Sequence, residues 1–404
     1  LTYRQLSAFL STALLAGLTF NNCSEGWKSV EYNLVSTSCK QSKMVSHEEL
    51  HDLVHQAHFK VKEGQRIKCP GFFAVIDDGG AQSFAGQAKA QAIKNNCNKD
   101  GPPNENPVPT PSDQEEALIR ELITQVNPNN LESWVRAMSD NSLWPTRYHR
   151  SSSNNEVADW IVNEFRNIAG NRTDITIRRV PHANTPQDSV EVIIEGQGPN
   201  KDKRVVLGGH QDSIHSQNSR SNPNARAPGA DDNASGVATL LETFRILVES
   251  DYKPDATIAF YTYAAEEIGL VGSQEIANSY SNNNIEVLGV LQIDMAMYAP
   301  QNTDTIRFIA DYTSPALTDH ASQLAEDYLG LTIASMTCGY ACSDHASWNQ
   351  NNFPAIMPAE DYVQDSIDRI HTLNDQFDGM LDPEYAGKFA KLAVAFAISL
   401  SITD

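Results

Sequence analysis

Short apolar runs that end at acidic or histidine side chains constrain the fold of this chain more than any other feature. The runs 205–207, 258–263 and 291–293 are almost wholly apolar and alternate with stretches of helical spacing. Continuous apolar strands between helices are typical of an α/β domain whose sheet is largely buried. Sites in such domains form just beyond the carboxyl ends of the strands. The polar residues at those positions are His210, Glu266 and Asp294.

The spacing of apolar residues predicts the remaining elements of this α/β domain. Helical spacing, in which apolar residues recur every three or four positions, differs from the short continuous runs of buried strands. Helices are predicted at 115–126, 155–168, 235–248, 272–280, 315–328 and 383–399. Strands are predicted at 189–194, 204–208, 257–263, 287–293 and 305–309.

A proline-rich segment, 99–113, divides the chain into two regions. Its five prolines and few apolar residues predict an extended, semi-rigid linker. It separates an N-terminal region, 23–98, from a domain at 114–404. Before both, 1–22 contains an apolar stretch that suits either a signal-like segment or an ordinary buried helix, and it is too short to span a bilayer. No other segment is predicted to cross a membrane.

Net charge and cysteine content indicate which partners and which compartment suit the protein. The net charge is −21, which disfavours a nucleic-acid partner because phosphate contacts need a basic face. The six cysteines contain no Cys-x-x-Cys pair, and their even number fits disulfides in an oxidising compartment. In the N-terminal region, Cys23–Cys39 with Cys69–Cys97 is one of three possible connectivities. We therefore expect secretion, to the extracellular space or to the periplasm.

Two pairs of adjacent acidic residues are not explained by the local secondary structure alone. Asp231–Asp232 lies in a Gly/Ala turn directly before the helix at 235–248, where a single Asp would suffice as an N-cap. Glu266–Glu267 follows an apolar strand, where neighbouring charges are costly unless they are paired or bind a metal. Both doublets therefore favour carboxylate ligands of metal ions.

Histidines and a further acid complete a set of ligands. His210 and Asp212 are two positions apart, so in extended geometry they share a face, and a carboxylate there fixes the tautomer of a ligand histidine. Asp294 closes a buried strand, and His371 follows much later in the chain. Imidazole nitrogens and carboxylate oxygens suit a pair of Zn²⁺ ions, with one carboxylate left to act as a base. In this order the residues predict a two-metal hydrolase.

In sequence, these motifs resemble the secreted dizinc leucyl aminopeptidases of bacteria, a family of zinc exopeptidases, from about residue 115 to the C-terminus. The resemblance implies a three-layer α/β/α domain with a mixed central sheet, in addition to the small Cys-containing N-terminal region. The motifs are Gly-Gly-His210-Gln-Asp212-Ser, Ala-Pro-Gly-Ala-Asp-Asp232-Asn-Ala-Ser-Gly, Tyr-Ala-Ala-Glu266-Glu267-Ile-Gly-Leu, Leu-Gln-Ile-Asp294-Met, Cys338-Gly-Tyr-Ala-Cys342-Ser-Asp-His-Ala-Ser-Trp and Arg-Ile-His371-Thr.

The family resemblance implies two zinc ions per chain, peptide or protein N-termini as substrates, and a monomer. It also implies a cis peptide bond at Asp232–Asn233. The general base would be Glu266, which takes a proton from a water between the metals and returns it to the leaving amine. The implied roles of the others are Asp232 as bridging ligand, Glu267 and His371 as ligands of one zinc, His210 and Asp294 as ligands of the other, and Asp212 as the partner of His210.

The substrate pocket is where this chain departs from the family pattern. The family implies a disulfide between Cys338 and Cys342, whereas the residues alone allow two free buried thiols. Aromatic residues of the family pocket are replaced here, and acids crowd the same stretch, so a preference for leucine-like side chains has a rival in Lys or Arg. The residues implied to line the pocket are Met295, Cys338, Tyr340, Cys342, Met357, Ala359, Val363, Ser366 and Ile370, and the nearby acids are Glu360, Asp361, Asp365 and Asp368.

Other readings of the motifs are less favoured. A related dizinc carboxypeptidase or deacylase would usually insert a lid domain between Glu267 and His371, where this chain continues as α/β core. Glutaminyl cyclases of this fold use one zinc, and a calcium-binding adhesion module would lack the histidines. The motif His47-Glu-Glu-Leu-His51 matches a zinc-protease pattern, but no third ligand follows it in so small a region. The N-terminal region is expected to be a propeptide or a retained accessory domain.

Overall fold

The computed structural model describes residues 43–44, 75–76, 108, 111–299, 303–360, 366 and 368–402. The chain divides into two compact units, and in the smaller one strand β1 (Lys43–Met44) pairs antiparallel with β2 (Val75–Ile76). All the helices and strands described below belong to the larger unit. Several predictions lie outside the described residues: the signal-like segment, the cysteines of the N-terminal region, the His47–His51 motif, nearly all of the linker, and Val363.

Several helices of the larger unit begin at residues that are typical of helix N-termini. A proline opens three of them, each preceded by a side chain that accepts a hydrogen bond from a backbone N–H of the first turn: Asn127, Ser314 and Asp382. Ser112 and Glu115 form a capping box at another. The helices are α1 (Asp113–Leu122), α2 (Pro128–Ser139), α3 (Asn154–Ala169), α4 (Gly236–Glu249), α5 (Val271–Asn282), α6 (Pro315–Leu329), α7 (His345–Asn349) and α8 (Pro383–Leu400).

A six-stranded mixed sheet forms the centre of the larger unit. Its spatial order is β10-β7-β5-β6-β4-β3, in which β10, β7, β5, β6 and β3 run parallel to one another and β4, between β6 and β3, runs antiparallel to them. Its strands are β3 (Ile175–Val180), β4 (Ser189–Ile194), β5 (Arg204–His210), β6 (Thr257–Tyr263), β7 (Val287–Gln292) and β10 (Ala355–Ile356). A separate three-stranded sheet contains β8 (Thr305–Ile309), β9 (Thr332–Met336) and β11 (Pro358–Ala359).

Alternate residues of the central strands face two different helical layers. Val205 and Leu207 of β5 pack into a large core with α3, α4 and α8, whereas Val206 packs on the opposite side with α5 and α7. In β6, Phe260 and Tyr261 divide between the same two cores. The expected three-layer α/β/α architecture with a mixed sheet is therefore confirmed. Among the described residues, no helix combines the length and apolar character that crossing a bilayer requires.

Candidate metal centre

The structure brings the predicted ligands to the carboxyl edge of the main sheet. Strands β7, β5 and β6 are neighbours and parallel, so the residues that follow them meet at one edge. His210 is the last residue of β5, Asp294 follows β7, and Glu267 follows β6. Asp232 lies in the segment that leads into α4, and His371 in the loop before α8.

Two groups of ligand atoms share Asp232. In the first group, Nε2 of His210 lies 3.0 Å from Oδ1 of Asp232 and 3.5 Å from Oδ2 of Asp294. In the second, Nε2 of His371 lies 2.9 Å from Oδ2 of Asp232 and 3.0 Å from Oε2 of Glu267. The ligand atoms within each group all lie within 4.8 Å of one another. Since each oxygen of Asp232 faces a different group, the arrangement suits a carboxylate that bridges two ions.

The segment that carries Asp232 is held by the side chain of its neighbour. The Asp232–Asn233 peptide bond is cis, as the family resemblance implies. Oδ1 of Asn233 accepts a hydrogen bond from the N–H of Gly236 at 3.0 Å, and Nδ2 donates to the carbonyl of Ile293 at 2.8 Å. Asn233 therefore links the start of α4 to the residues that follow β7.

Burial governs the ionisation of these carboxyl groups. Burial, and then the charge of Asp232, raises the pKa of Glu267 to about 8. Burial likewise raises the pKa of Glu266 well above its usual value. Asp232 is the exception, because hydrogen bonds from His210 and His371 outweigh its burial and hold its pKa well below the usual range. A divalent cation among such carboxylates would relieve both their mutual repulsion and the cost of burying their charge.

The donor set fits zinc. Imidazole nitrogens and carboxylate oxygens are ordinary zinc ligands, and three protein donors per ion leave a position for water or substrate. His210 and Asp232 are buried, and Oε1 of Glu267 is buried without a hydrogen-bond partner in the described part of the chain. Buried polar atoms are normally satisfied, so an oxygen of this kind beside a ligand group is one that a cation would satisfy.

Asp212 lies beside His210 and holds the backbone of Glu266. Its Oδ1 lies 3.5 Å from Nδ1 of His210. The same carboxylate accepts hydrogen bonds from the N–H of Glu266 at 3.0 Å and from the N–H of Glu267 at 3.3 Å. Ala265 precedes them with φ of 55°, a left-handed conformation that costs a residue with a Cβ about 1–2 kcal/mol. The hydrogen bonds of Asp212 therefore hold a strained turn that carries the predicted base.

Arg147 is a buried site residue that no sequence motif marks. Its guanidinium donates to the carbonyls of Gln211 at 2.8 Å, Pro228 at 2.7 Å, Gly229 at 2.8 Å and Met138 at 3.0 Å. Burial lowers the pKa of Arg147 to about 10, against the attraction of nearby carboxylates, so it is charged at neutral pH. It joins the end of β5 to the loop that precedes Asp232.

Asp375 is a second site residue missed by sequence reasoning. Its Oδ1 accepts a hydrogen bond from the N–H of Asp231 at 2.8 Å, and its Oδ2 accepts one from the N–H of Asp232 at 3.1 Å. Burial, and then the charge of Asp232, raises the pKa of Asp375 to about 6. The one available signal was its position shortly after His371, in the same polar segment.

Ser343 lies against Asp294, one of the predicted ligands. Its hydroxyl donates to Oδ2 of Asp294 at 2.5 Å and accepts from Nε2 of Gln292 at 3.1 Å. Ser343 directly follows Cys342 in a motif that carries the family resemblance, and that resemblance implied no role for it. The Asp294–Met295 peptide bond is also cis, which the sequence did not predict.

The residues expected to line the substrate pocket are largely clustered. Cys338 and Cys342 form the expected disulfide. Burial, and then the charges of Glu266 and Asp294, raises the pKa of Tyr340 well above its usual value. One apolar cluster contains Ile309, Cys338, Tyr340, Cys342, Met357 and Ala359, with Met336 packed against it. Met295, Ser366 and Ile370 are also buried.

The loop closed by the disulfide is anchored by Asp311. Its Oδ2 accepts hydrogen bonds from the N–H of Cys338 at 2.7 Å and from the N–H of Gly339 at 2.9 Å. Nε2 of His345 lies 3.0 Å from the carbonyl oxygen of Asp311. This loop is therefore fixed at its first two residues by an acid that the sequence did not single out.

Glu360, one of the acids near the predicted pocket, is buried and hydrogen-bonded within the protein. Its side chain is fully buried, and its Oε2 accepts a hydrogen bond from the N–H of Tyr298 at 2.7 Å. Burial, and then the charge of Asp231, raises the pKa of Glu360 well above its usual value. Such a carboxyl group is poorly suited to bind a basic substrate side chain. Asp361 and Asp365 lie outside the described residues.

Comparison with known proteins places this site in a family. The model of Peptidase family M28 matches residues 191–397. A probable leucine aminopeptidase of the fungus Trichophyton verrucosum is 32% identical over 374 residues, which cover 91% of this chain and 92% of that protein. Among solved structures, the LapA aminopeptidase of Legionella pneumophila has a TM-score of 0.66 and 30% identity, covering 75% of this chain and 78% of that one. LapB from the same organism has a TM-score of 0.67 and 27% identity, covering 80% and 82%.

Proposed function

The chain belongs to peptidase family M28 and is a zinc-dependent aminopeptidase, and from that premise we propose that it removes N-terminal residues of peptides with two bound zinc ions. Two ions are proposed because Asp232 belongs to both groups of ligand atoms. One group would hold an ion with His210 and Asp294, and the other with Glu267 and His371. Zinc bound there would supply a Lewis acid that polarises the scissile carbonyl and lowers the pKa of water.

Glu266 is proposed as the general base. It follows β6 directly beside the ligand Glu267, and its Oε1 is buried without a hydrogen-bond partner in the part of the chain that the structure describes. A carboxyl group whose pKa is raised by burial is suited both to accept a proton and to return it near neutral pH. We infer that Glu266 takes a proton from the attacking water and gives it to the leaving amine.

We propose that the free α-amine is held by the metal centre itself. The carboxylates of Asp232, Glu267 and Asp294 are buried together, and two bound zinc ions would largely neutralise them, so a zinc ion and an acid beside it would hold the amine. A peptide N-terminus offers such an amine, whereas an acylated one does not. The proposed substrates are therefore unblocked peptide or protein N-termini.

A hydrophobic N-terminal residue is the proposed preference. The apolar cluster of Ile309, Tyr340, Met357 and the disulfide supports it, as do relatives named leucine aminopeptidases. The alternative preference for Lys or Arg loses one candidate anchor, since Glu360 is fully buried and bonded within the protein. A dizinc carboxypeptidase or deacylase is less favoured because the relatives are aminopeptidases.

Secretion to the extracellular space or the periplasm is proposed from the cysteine pattern and the disulfide. A signal-like segment at 1–22, a propeptide or accessory region at 23–98 and a catalytic domain at 114–404 remain predictions, as does a monomeric state. The bacterial character of the resemblance also remains a prediction, because the comparisons include fungal relatives as well as the Legionella structures.

The role of Glu266 is tested by the Glu266→Gln variant. We expect turnover of leucine p-nitroanilide to fall at least about 100-fold, the usual contribution of a general base, while the zinc content stays unchanged. Glu286→Gln removes an exposed carboxylate that pairs with Lys203 and serves as the control, with activity near that of the wild type. If Glu266→Gln retains activity within a few fold of the wild type, Glu266 is not the base.

Substrate preference is tested with a panel of p-nitroanilides. Free Leu and Phe derivatives should be cleaved faster than Lys and Arg derivatives, because the pocket cluster is apolar. Acetylation of the Leu derivative should abolish cleavage, since it removes the free α-amine. Equal rates for the acetylated and the free substrate would contradict an aminopeptidase.

A further inference from the structure

Residues at the start of strand β4 lie beside the ends of the strands that carry the metal centre. Because β4 is antiparallel to β6, its first residue, Ser189, lies at the edge of the sheet where β5 and β6 end. Gln211, which follows β5, donates from Nε2 to the carbonyl of Asp188 at 2.8 Å. Gln187 and Ser189 reach the segment that follows β6.

The backbone of the segment that carries the base is held by side chains at four consecutive N–H groups. The N–H of Ala264 donates to Oγ of Ser189 at 2.9 Å, and the N–H of Ala265 donates to Oε1 of Gln187 at 3.2 Å. The next two N–H groups donate to the carboxylate of Asp212. Since the turn includes the left-handed residue Ala265, it depends on these acceptors for its conformation.

The side chains of Gln187 and Ser189 are themselves held by further polar contacts. Both are fully buried. Nε2 of Gln187 donates to the carbonyl of Arg147 at 3.0 Å. Oγ of Ser189 lies 2.7 Å from Nε2 of His182, whose Nδ1 lies 3.2 Å from Oε2 of Glu275.

A serine, a histidine and a glutamate in this order resemble the parts of a nucleophilic triad. A hydroxyl with no exposed surface cannot reach a substrate, however, so Ser189 is not a nucleophile. What its hydroxyl does is accept the hydrogen bond from Ala264. The contacts with His182 and Glu275 fix the orientation of that acceptor.

We propose that Gln187 and Ser189 are positioning residues for the general base Glu266. They contact the backbone of the two residues before it and are not among the groups of metal ligands. A displacement of about 1 Å in a catalytic group can cost about 100-fold in rate. The inference rests on the proposed role of Glu266, and it predicts an effect on turnover rather than on zinc binding.

The Gln187→Met variant tests this directly, because methionine has a similar length and its thioether is only a weak acceptor for the N–H of Ala265. We expect kcat to fall about tenfold or more, with KM changed less than about threefold and an unchanged zinc content per chain. Thr243→Val is the control. It removes a fully buried hydroxyl in α4 that bonds to the carbonyl of Thr239 and to no group of the base segment, so its kcat should stay near that of the wild type.

Ser189→Ala provides a second test should Gln187→Met fail to fold, and it too should lower kcat with zinc retained. The proposal is overturned if a folded variant has kcat within about twofold of the wild type, or if kcat and zinc content fall together, since the residues would then hold the metal site. An inactive wild type that binds zinc would overturn the proposed function and this inference with it. An active wild type with unimpaired variants would overturn the inference alone.

Discussion

Arg147 carries a buried positive charge without a carboxylate bound to its guanidinium in the described part of the chain. Four backbone carbonyls accept its hydrogen bonds instead, and they belong to segments that are far apart in the sequence. Carbonyl acceptors leave the charge available to attract the carboxylates of the metal centre at longer range. At the scale of one residue, Arg147 therefore combines a structural role with an electrostatic one.

Replacing Arg147 by methionine should destabilise the protein strongly. The variant leaves buried carbonyls without donors and removes the charge that offsets nearby carboxylates, so we expect the free energy of unfolding to fall by about 3–5 kcal/mol. The measurement is urea unfolding of the full chain. Arg136→Met, which removes a half-exposed arginine that pairs with Glu132, should cost much less. Equal losses from the two variants would contradict the role of Arg147.

Residue type explains why some site residues are predictable and others are not. His210 and Asp294 attract attention because their chemistry is unusual at the end of an apolar strand. Gln187 and Arg147 act on backbone groups, which every residue has, so only the fold shows which N–H or carbonyl they meet. Sequence alone therefore identifies the predicted ligands and base better than the residues that position them.

At the scale of elements, continuous apolar strands and long amphipathic helices were predictable. The predicted helix at 383–399 and strand at 257–263 match α8 and β6 closely. Strand β3 was missed because it is a sheet edge whose residues alternate in exposure and include two arginines. Helix α2 was missed although Asn127 and Pro128 mark its start and Leu131, Val135 and Met138 recur at helical spacing. Strand β5 also extends beyond its predicted end, to include His210.

The contact between helices α6 and α8 should depend on pH through His320. Its Nε2 lies 2.9 Å from Oγ of Ser399, and burial lowers the pKa of His320 to about 4. The unfolded chain takes up a proton near pH 6.5 that the folded protein resists. The stability contributed by keeping His320 neutral is therefore fully present above pH 6.5. It is lost as the pH falls toward 4, by at most about 1.4 kcal/mol per pH unit.

The variant His320→Gln isolates this effect, because glutamine can still bond to Ser399 and does not titrate. Urea unfolding of both proteins between pH 7 and pH 4 gives the difference in stability at each pH. We expect the wild type to lose stability faster than the variant as the pH falls. A difference that stays constant across this range would contradict the assignment.

At the scale of the whole molecule, the metal centre depends on more of the chain than the family match covers. The match spans 191–397 and includes every predicted ligand. Arg147, Gln187 and Ser189 precede it, yet they bond to the segments that carry the ligands and the base. The sheet topology explains this, because β3 brings the chain to the carboxyl edge of the sheet and the antiparallel strand β4 begins there. Arg147, Gln187 and Ser189 therefore belong structurally to the same site as the matched residues.

The central claim, that two zinc ions share Asp232, is tested most directly by zinc titration of the metal-stripped protein. Activity should rise with added zinc and level off at about two ions per chain, and Asp232→Asn should lose both tight zinc binding and turnover. Asp231→Asn is the matched control, because burial raises the pKa of Asp231 to about 8 and a neutral amide of equal size replaces it. Full activity with one zinc per chain, or unimpaired binding of two ions by Asp232→Asn, would contradict the shared-ligand centre.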